Sequence, residues 1–112
     1  MPFIDSKITV PVPQEKRDSL KAELGKAISI LSKPESYLML GFEDNYDLYM
    51  GGKKLDAGAY VAVSLFGNAS SSAYNKMTGN ICRIFESVLG IPPPRRTPPW
   101  CACAWNFKEM IP

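Results

Sequence analysis

AYVAVSLF, residues 59–66, decides the fold. Val61, Val63 and Leu65 fall on one side of an extended chain, and Tyr60, Ala62, Ser64 and Phe66 on the other. Period two in a run rich in β-branched and aromatic residues reads as a strand. GNASSS, residues 67–72, follows at once and carries helix-start chemistry, with Asn68 or Ser70 as the capping residue. Tyr74, Met77, Ile81, Ile84, Phe85 and Val88 then recur at helical steps, and Gly90 stops the run.

The same grammar appears at the start of the chain. Between Pro2 and Val10, Ile4, Ser6, Ile8 and Val10 alternate with Phe3, Asp5, Lys7 and Thr9, which predicts a strand. PVPQ breaks it, and Pro13 suits a first helical position because its missing N–H would be unpaired there anyway. Leu20, Leu24, Ala27, Ile28 and Leu31 mark the buried stripe of a helix whose outer face carries Lys16, Arg17, Lys21, Glu23 and Lys26. Pro34 disfavours helical geometry at Lys33 and ends it. YLMLGF, residues 37–42, is a short apolar strand. LYM, residues 48–50, is a brief strand, and GGKKLDAG, residues 51–58, is a loop.

Strand, helix and strand thus occur twice. The class is α/β: two βαβ-like halves forming a four-stranded mixed sheet. Crossover connections have a fixed hand, so both helices are expected on one face of the sheet. Tyr60, Ala62, Ser64 and Phe66 would then lie bare on the other face. An uncovered semi-apolar face of that size favours self-association over a monomer closed by its own final segment.

Bulk properties narrow the class further. The 112 residues, at 12.4 kDa, suit one domain spanning 1–112, with 46% hydrophobic and 21% charged residues as in a soluble globular protein. A net charge of +2 is too balanced for binding nucleic acid or a membrane surface by charge alone. No apolar run reaches the length of a membrane span, and no basic-then-apolar leader pattern opens the chain. Three cysteines make no disulfide framework, so a reducing, cytoplasmic setting is expected. Cys101-Ala-Cys103 invites a metal reading, but a structural zinc wants four ligands, and only Cys82 and no histidine are available besides; neither metal nor cofactor is expected. Without histidine, any general base must be of a less usual kind.

Six short motifs stand in a telling order: Pro2, SKP at 32–34 followed by Tyr37, MGG at 50–52, FG at 66–67, LGIPP at 89–93 and AWN at 104–106. In them the chain resembles the macrophage migration inhibitory factor branch of the tautomerase superfamily, and its bacterial members most. The resemblance covers about residues 2–93. It implies a homotrimer packed sheet against sheet, with active sites in clefts between subunits. It also implies a cofactor-free isomerase that interconverts enol and keto forms of a 2-oxo acid such as phenylpyruvate.

Removal of Met1 would leave Pro2 a free secondary amine, the base and acid of that reaction. A terminal amine starts near a pKa of roughly 8 and falls when its cation is desolvated or placed beside another cation. By the same resemblance Lys33 would hold the substrate carboxylate or stabilise charge on the 2-oxo oxygen; from the residues alone it is a solvated cation at a helix C-terminus. Phe66 would offer its backbone N–H to the carboxylate. Phe3, Tyr37 and Trp105 would form apolar wall, with ordinary core packing as the alternative for each. The resemblance also leaves open a non-catalytic trimer that binds a host receptor after secretion without a signal peptide.

RRTPPWCACAWNF, residues 95–107, departs from the family. A strand carrying a pocket tyrosine is expected there, and Thr97 and Pro99 stand nearest its place. Adjacent prolines cannot donate ladder hydrogen bonds, so the segment is at best an edge strand or a loop.

Overall fold

The computed structural model describes residues 2–65, 70–91 and, as backbone, 101–106. β1 (Phe3–Ile8) lies in the middle of a four-stranded sheet. It pairs in parallel with β2 (Met39–Glu43) and antiparallel with β5 (Ala59–Ser64), and β5 pairs in parallel with β6 (Cys101–Asn106). The order is β2-β1-β5-β6. A separate two-stranded hairpin joins β3 (Tyr49–Met50) to β4 (Lys53–Lys54).

Each parallel pair is bridged by a helix: α1 (Gln14–Ala27) crosses from β1 to β2, and α2 (Ser71–Leu89) lies between β5 and β6 in the chain. The two βαβ halves expected from the alternation are present. Both helices cover one face. Ile4 and Ile8 of β1 and Val61 and Val63 of β5 share a single buried cluster with Leu20 and Leu24 of α1 and Met77, Ile81 and Phe85 of α2. Burying each such side chain is worth roughly 1.5–3 kcal/mol, so this layer holds the domain together. The opposite face carries Phe3, Asp5 and Lys7, half-buried, and Tyr60, which is 41% exposed.

Several boundaries differ from the sequence expectation. Pro13 is the N-cap of α1 rather than its first helical residue, with extended geometry (φ −65°, ψ 163°). The apolar stripe through Leu31 continues past α1 as a 3-10 turn, Ile28–Leu31. Ser70, one of the two expected caps, does cap α2, its Oγ accepting the Ala73 N–H at 3.1 Å, while Asn68 lies outside the described residues. Gly90 ends α2 with φ 71°, a left-handed geometry that costs glycine least. Lys53-Lys54, expected in a loop, is a strand, because Gly51 (φ 58°) and Gly52 (φ 81°) make the tight turn that folds it back on Tyr49-Met50. β6 (Cys101–Asn106) lies at the sheet edge, in the segment expected as an edge strand or a loop; Thr97 and Pro98-Pro99 lie outside the described residues.

Candidate active site at the head of the central strand

Pro2 is buried immediately before β1. Its carbonyl accepts the N–H of Met39, the first residue of β2, at 2.9 Å. The next residue, Phe3, faces Met39 across β2 and Ser64 across β5. Parallel pairing of β1 and β2 places both strand starts at the same end of the sheet, so the connection leading into β2 arrives beside Pro2.

That connection carries Lys33 and Tyr37. Ser32 closes the preceding 3-10 turn in the left-handed region (φ 59°), its N–H bonded to Ser29 O at 2.9 Å. A non-glycine residue there is uncommon, and it swings the chain out of the helical line. Lys33 follows and is half-buried. Pro34 is extended, and Glu35–Tyr37 forms a second 3-10 turn closed by Leu38 N–H to Glu35 O at 2.9 Å. Tyr37, expected as the first residue of a strand, sits in this turn and is 63% exposed.

Phe3 lies on the open face and its ring crosses to β2. A Cβ on Gly41 would lie 3.2 Å from its Cε1 and 3.3 Å from its Cζ. Glycine leaves room for that ring, and the ring covers the bare backbone in return. Phe66 lies outside the described residues, although Ser64, two positions earlier, stands opposite Phe3. Trp105 occupies the β6 position in register with Val63.

Met39 was not among the residues singled out from the sequence. It is 46% exposed, binds Pro2 through its backbone and opposes Phe3 in register. Alternation within YLMLGF was the signal, since it puts Met39 and Gly41 on one face and Leu40 and Phe42 on the other. Leu40 and Phe42 pack toward the helix-side core instead. There, with Leu38, Arg17, Lys21 and Glu35, they line a cavity of about 510 Å³ on the other side of β2 from Phe3 and Met39. Among the described residues no group of three metal-binding side chains occurs, and no helix is long and apolar enough to cross a membrane.

No protein-family profile matches the chain, and no curated protein does. Solved structures do. Leishmania major MIF2 superposes with a TM-score of 0.86 at 26% identity, over 100% of this chain and 92% of the other. Macrophage migration inhibitory factor of Toxoplasma gondii gives 0.81 at 24% identity, over 96% and 90%. Pt0534 inactivated by 2-oxo-3-pentynoate gives 0.78 at 11% identity, over 93% and 84%. Ordered motifs, strand register and superposition agree: the chain has the fold of the macrophage migration inhibitory factor branch of the tautomerase superfamily.

Proposed function

We propose that the protein is a cofactor-free keto–enol tautomerase of 2-oxo acids, phenylpyruvate-like in size, with Pro2 as its base and acid after Met1 is removed. The observation that carries this reading is the placement of Pro2: buried, at the head of the central strand, with its carbonyl held by Met39. Burial favours the uncharged form of an amine, which is the form that accepts a proton. In the enol-to-keto direction, the amine takes the enol hydroxyl proton as the carbonyl forms and returns a proton to the carbon. Pinning the adjacent carbonyl fixes where the ring nitrogen points, and orientation is a large part of such catalysis.

Lys33 serves the substrate carboxylate or the 2-oxo oxygen, where an ammonium stabilises negative charge as it develops. Phe3 and Met39, paired across β1 and β2 beside Pro2, offer apolar surface, and Tyr37 stands in the turn leading into β2. That Pt0534, of the same fold, is inactivated by a 2-oxo acid supports this substrate class. The open sheet face, with Tyr60 41% exposed, supports assembly as a homotrimer. A cytoplasmic setting belongs to the same proposal.

Intact mass first establishes that Met1 is absent. Ketonisation of enol-phenylpyruvate, followed by ultraviolet absorbance, is then compared for the parent and Pro2→Gly. A fall of about a hundredfold or more is expected when the positioned base is lost. A variant as fast as its parent rules out Pro2, and a parent with no activity on any 2-oxo acid leaves a non-catalytic homologue.

A further inference from the structure

Gly25 is buried in α1, although Ala22, Glu23 and Lys26 around it are exposed. Its cover comes from a different part of the chain, the side chain of Glu35. A Cβ placed on Gly25 would lie 2.6 Å from Glu35 Cδ, 3.2 Å from its Cγ, and against its Oε2. Glycine is the poorest helix former after proline, so α1 carries a residue that weakens it where only glycine leaves space for that carboxylate. Glu35 opens the 3-10 turn Glu35–Tyr37, and Lys33 stands two residues before it. Four residues beyond Glu35, Met39 binds the Pro2 carbonyl.

We propose that Glu35, seated on Gly25, is a positioning residue that locks the Lys33–Tyr37 turn against α1. This inference rests on the proposed role of Lys33 for its effect on catalysis, and on geometry alone for its effect on the turn. At the far end of the segment Leu38 packs against the core and the Met39 N–H donates to the Pro2 carbonyl, so the Glu35 contact holds its middle. Ser32, Pro34, Glu35, Ser36 and Tyr37 are exposed, and the bonds from Tyr37 N–H to Pro34 O and Leu38 N–H to Glu35 O each span three residues. The contact depends on shape: an added methyl evicts a flexible carboxylate at small cost to the fold, so the turn loosens while α1 gains helix propensity. Stability and positioning are therefore driven in opposite directions by one substitution.

The test compares Gly25→Ala, Glu35→Ala and Glu35→Gln in the full chain. Thermal unfolding of Gly25→Ala should rise by about 4 °C, which excludes general damage as the source of any loss. Amide exchange in peptides covering residues 32–39 should quicken about threefold or more in Gly25→Ala and Glu35→Ala, and match the parent in Glu35→Gln, which keeps the shape. With a 2-oxo acid substrate, KM should rise about threefold or more in the first two, with kcat nearly unchanged. Exchange in Gly25→Ala and Glu35→Ala indistinguishable from the parent overturns the anchor. Quickened exchange with KM unchanged overturns its role in substrate binding. Quickened exchange in a protein whose parent form shows no activity upholds the anchor and removes the enzymatic reading instead.

Discussion

The N–H of Met39 donates to the carbonyl of Pro2 at 2.9 Å, so the first residue of β2 holds the residue just before β1. This bond lies just outside the β1–β2 ladder, whose first paired residues are Phe3 and Met39. Strands joined this way cannot shift their starts independently. Met39→Pro removes the donor, and the preceding Leu38 already has the extended geometry (φ −76°, ψ 128°) that a following proline demands. The expected cost is about 1 kcal/mol in urea unfolding, with a tenfold or larger fall in kcat/KM because Pro2 loses its support. Met39→Ala, which keeps the N–H, should stay near the parent in stability. Equal losses in the two variants would show that the side chain, not the bond, matters.

Ser6 sits on the helix-covered face of β1 between Ile4 and Ile8, fully buried, and its Oγ has no hydrogen-bond partner among the described residues. An unpaired buried hydroxyl costs about 1–3 kcal/mol. Ser6→Ala removes it with almost no change of volume. The variant should be more stable than the parent by about 1 kcal/mol in equilibrium denaturation; a loss of that size would mean the hydroxyl is paired in solution.

Asp44 accepts the Val12 N–H at 2.9 Å and forms an ion pair with Arg17 at 3.2 Å, fastening the segment after β2 to the start of α1. The Val12 N–H, with Arg17 beside it, holds the Asp44 carboxyl below the usual carboxylate range. A carboxyl lowered in the folded state contributes stability above its unfolded value, near pH 4, and that contribution is lost as pH falls through the folded value. Asp44→Asn should therefore be less stable than the parent at pH 7, and the gap should close as pH drops below about 4. A gap independent of pH would mean that the ionised carboxylate is not what fastens these segments.

Much of this architecture can be read from residue order because its strong elements bury one face. Ile4, Ser6 and Ile8 in β1, and Val61 and Val63 in β5, are buried in strict alternation with half-exposed neighbours. What escaped the sequence reading lacks such a period. Lys53-Lys54 is only two residues, too short to alternate, and its pairing with the expected strand at Tyr49-Met50 is set by the backbone at Gly51 and Gly52. Ile28–Leu31 continues the apolar stripe of α1 in 3-10 geometry, which composition does not distinguish from α. At the candidate site, Pro2 and Lys33 stood out by type and motif. Met39 acts through its main chain, and Gly25 through the absence of a side chain, so neither shows in residue chemistry.

Tyr60 stands 41% exposed on the open face, opposite Lys7 in the β1–β5 register, with Ala62 and Phe3 on the same face. Lys7 reaches Asp5 at 3.0 Å and lies 5.9 Å from the ring centre of Tyr46. Asp5 and Lys7 are thus paired with each other within the chain, and the apolar groups beside them are open to a second copy. Tyr60→Glu would bury a carboxylate in each copy at such an interface, where an unpaired charge is costly. Native mass spectrometry at micromolar concentration should find the parent at three times the 12.4 kDa chain mass and the variant largely as the single chain. The variant's fold should survive, because Tyr60 takes no part in the helix-side core. A parent that is monomeric, or a variant as fully assembled as its parent, would mean that this face is not where copies meet.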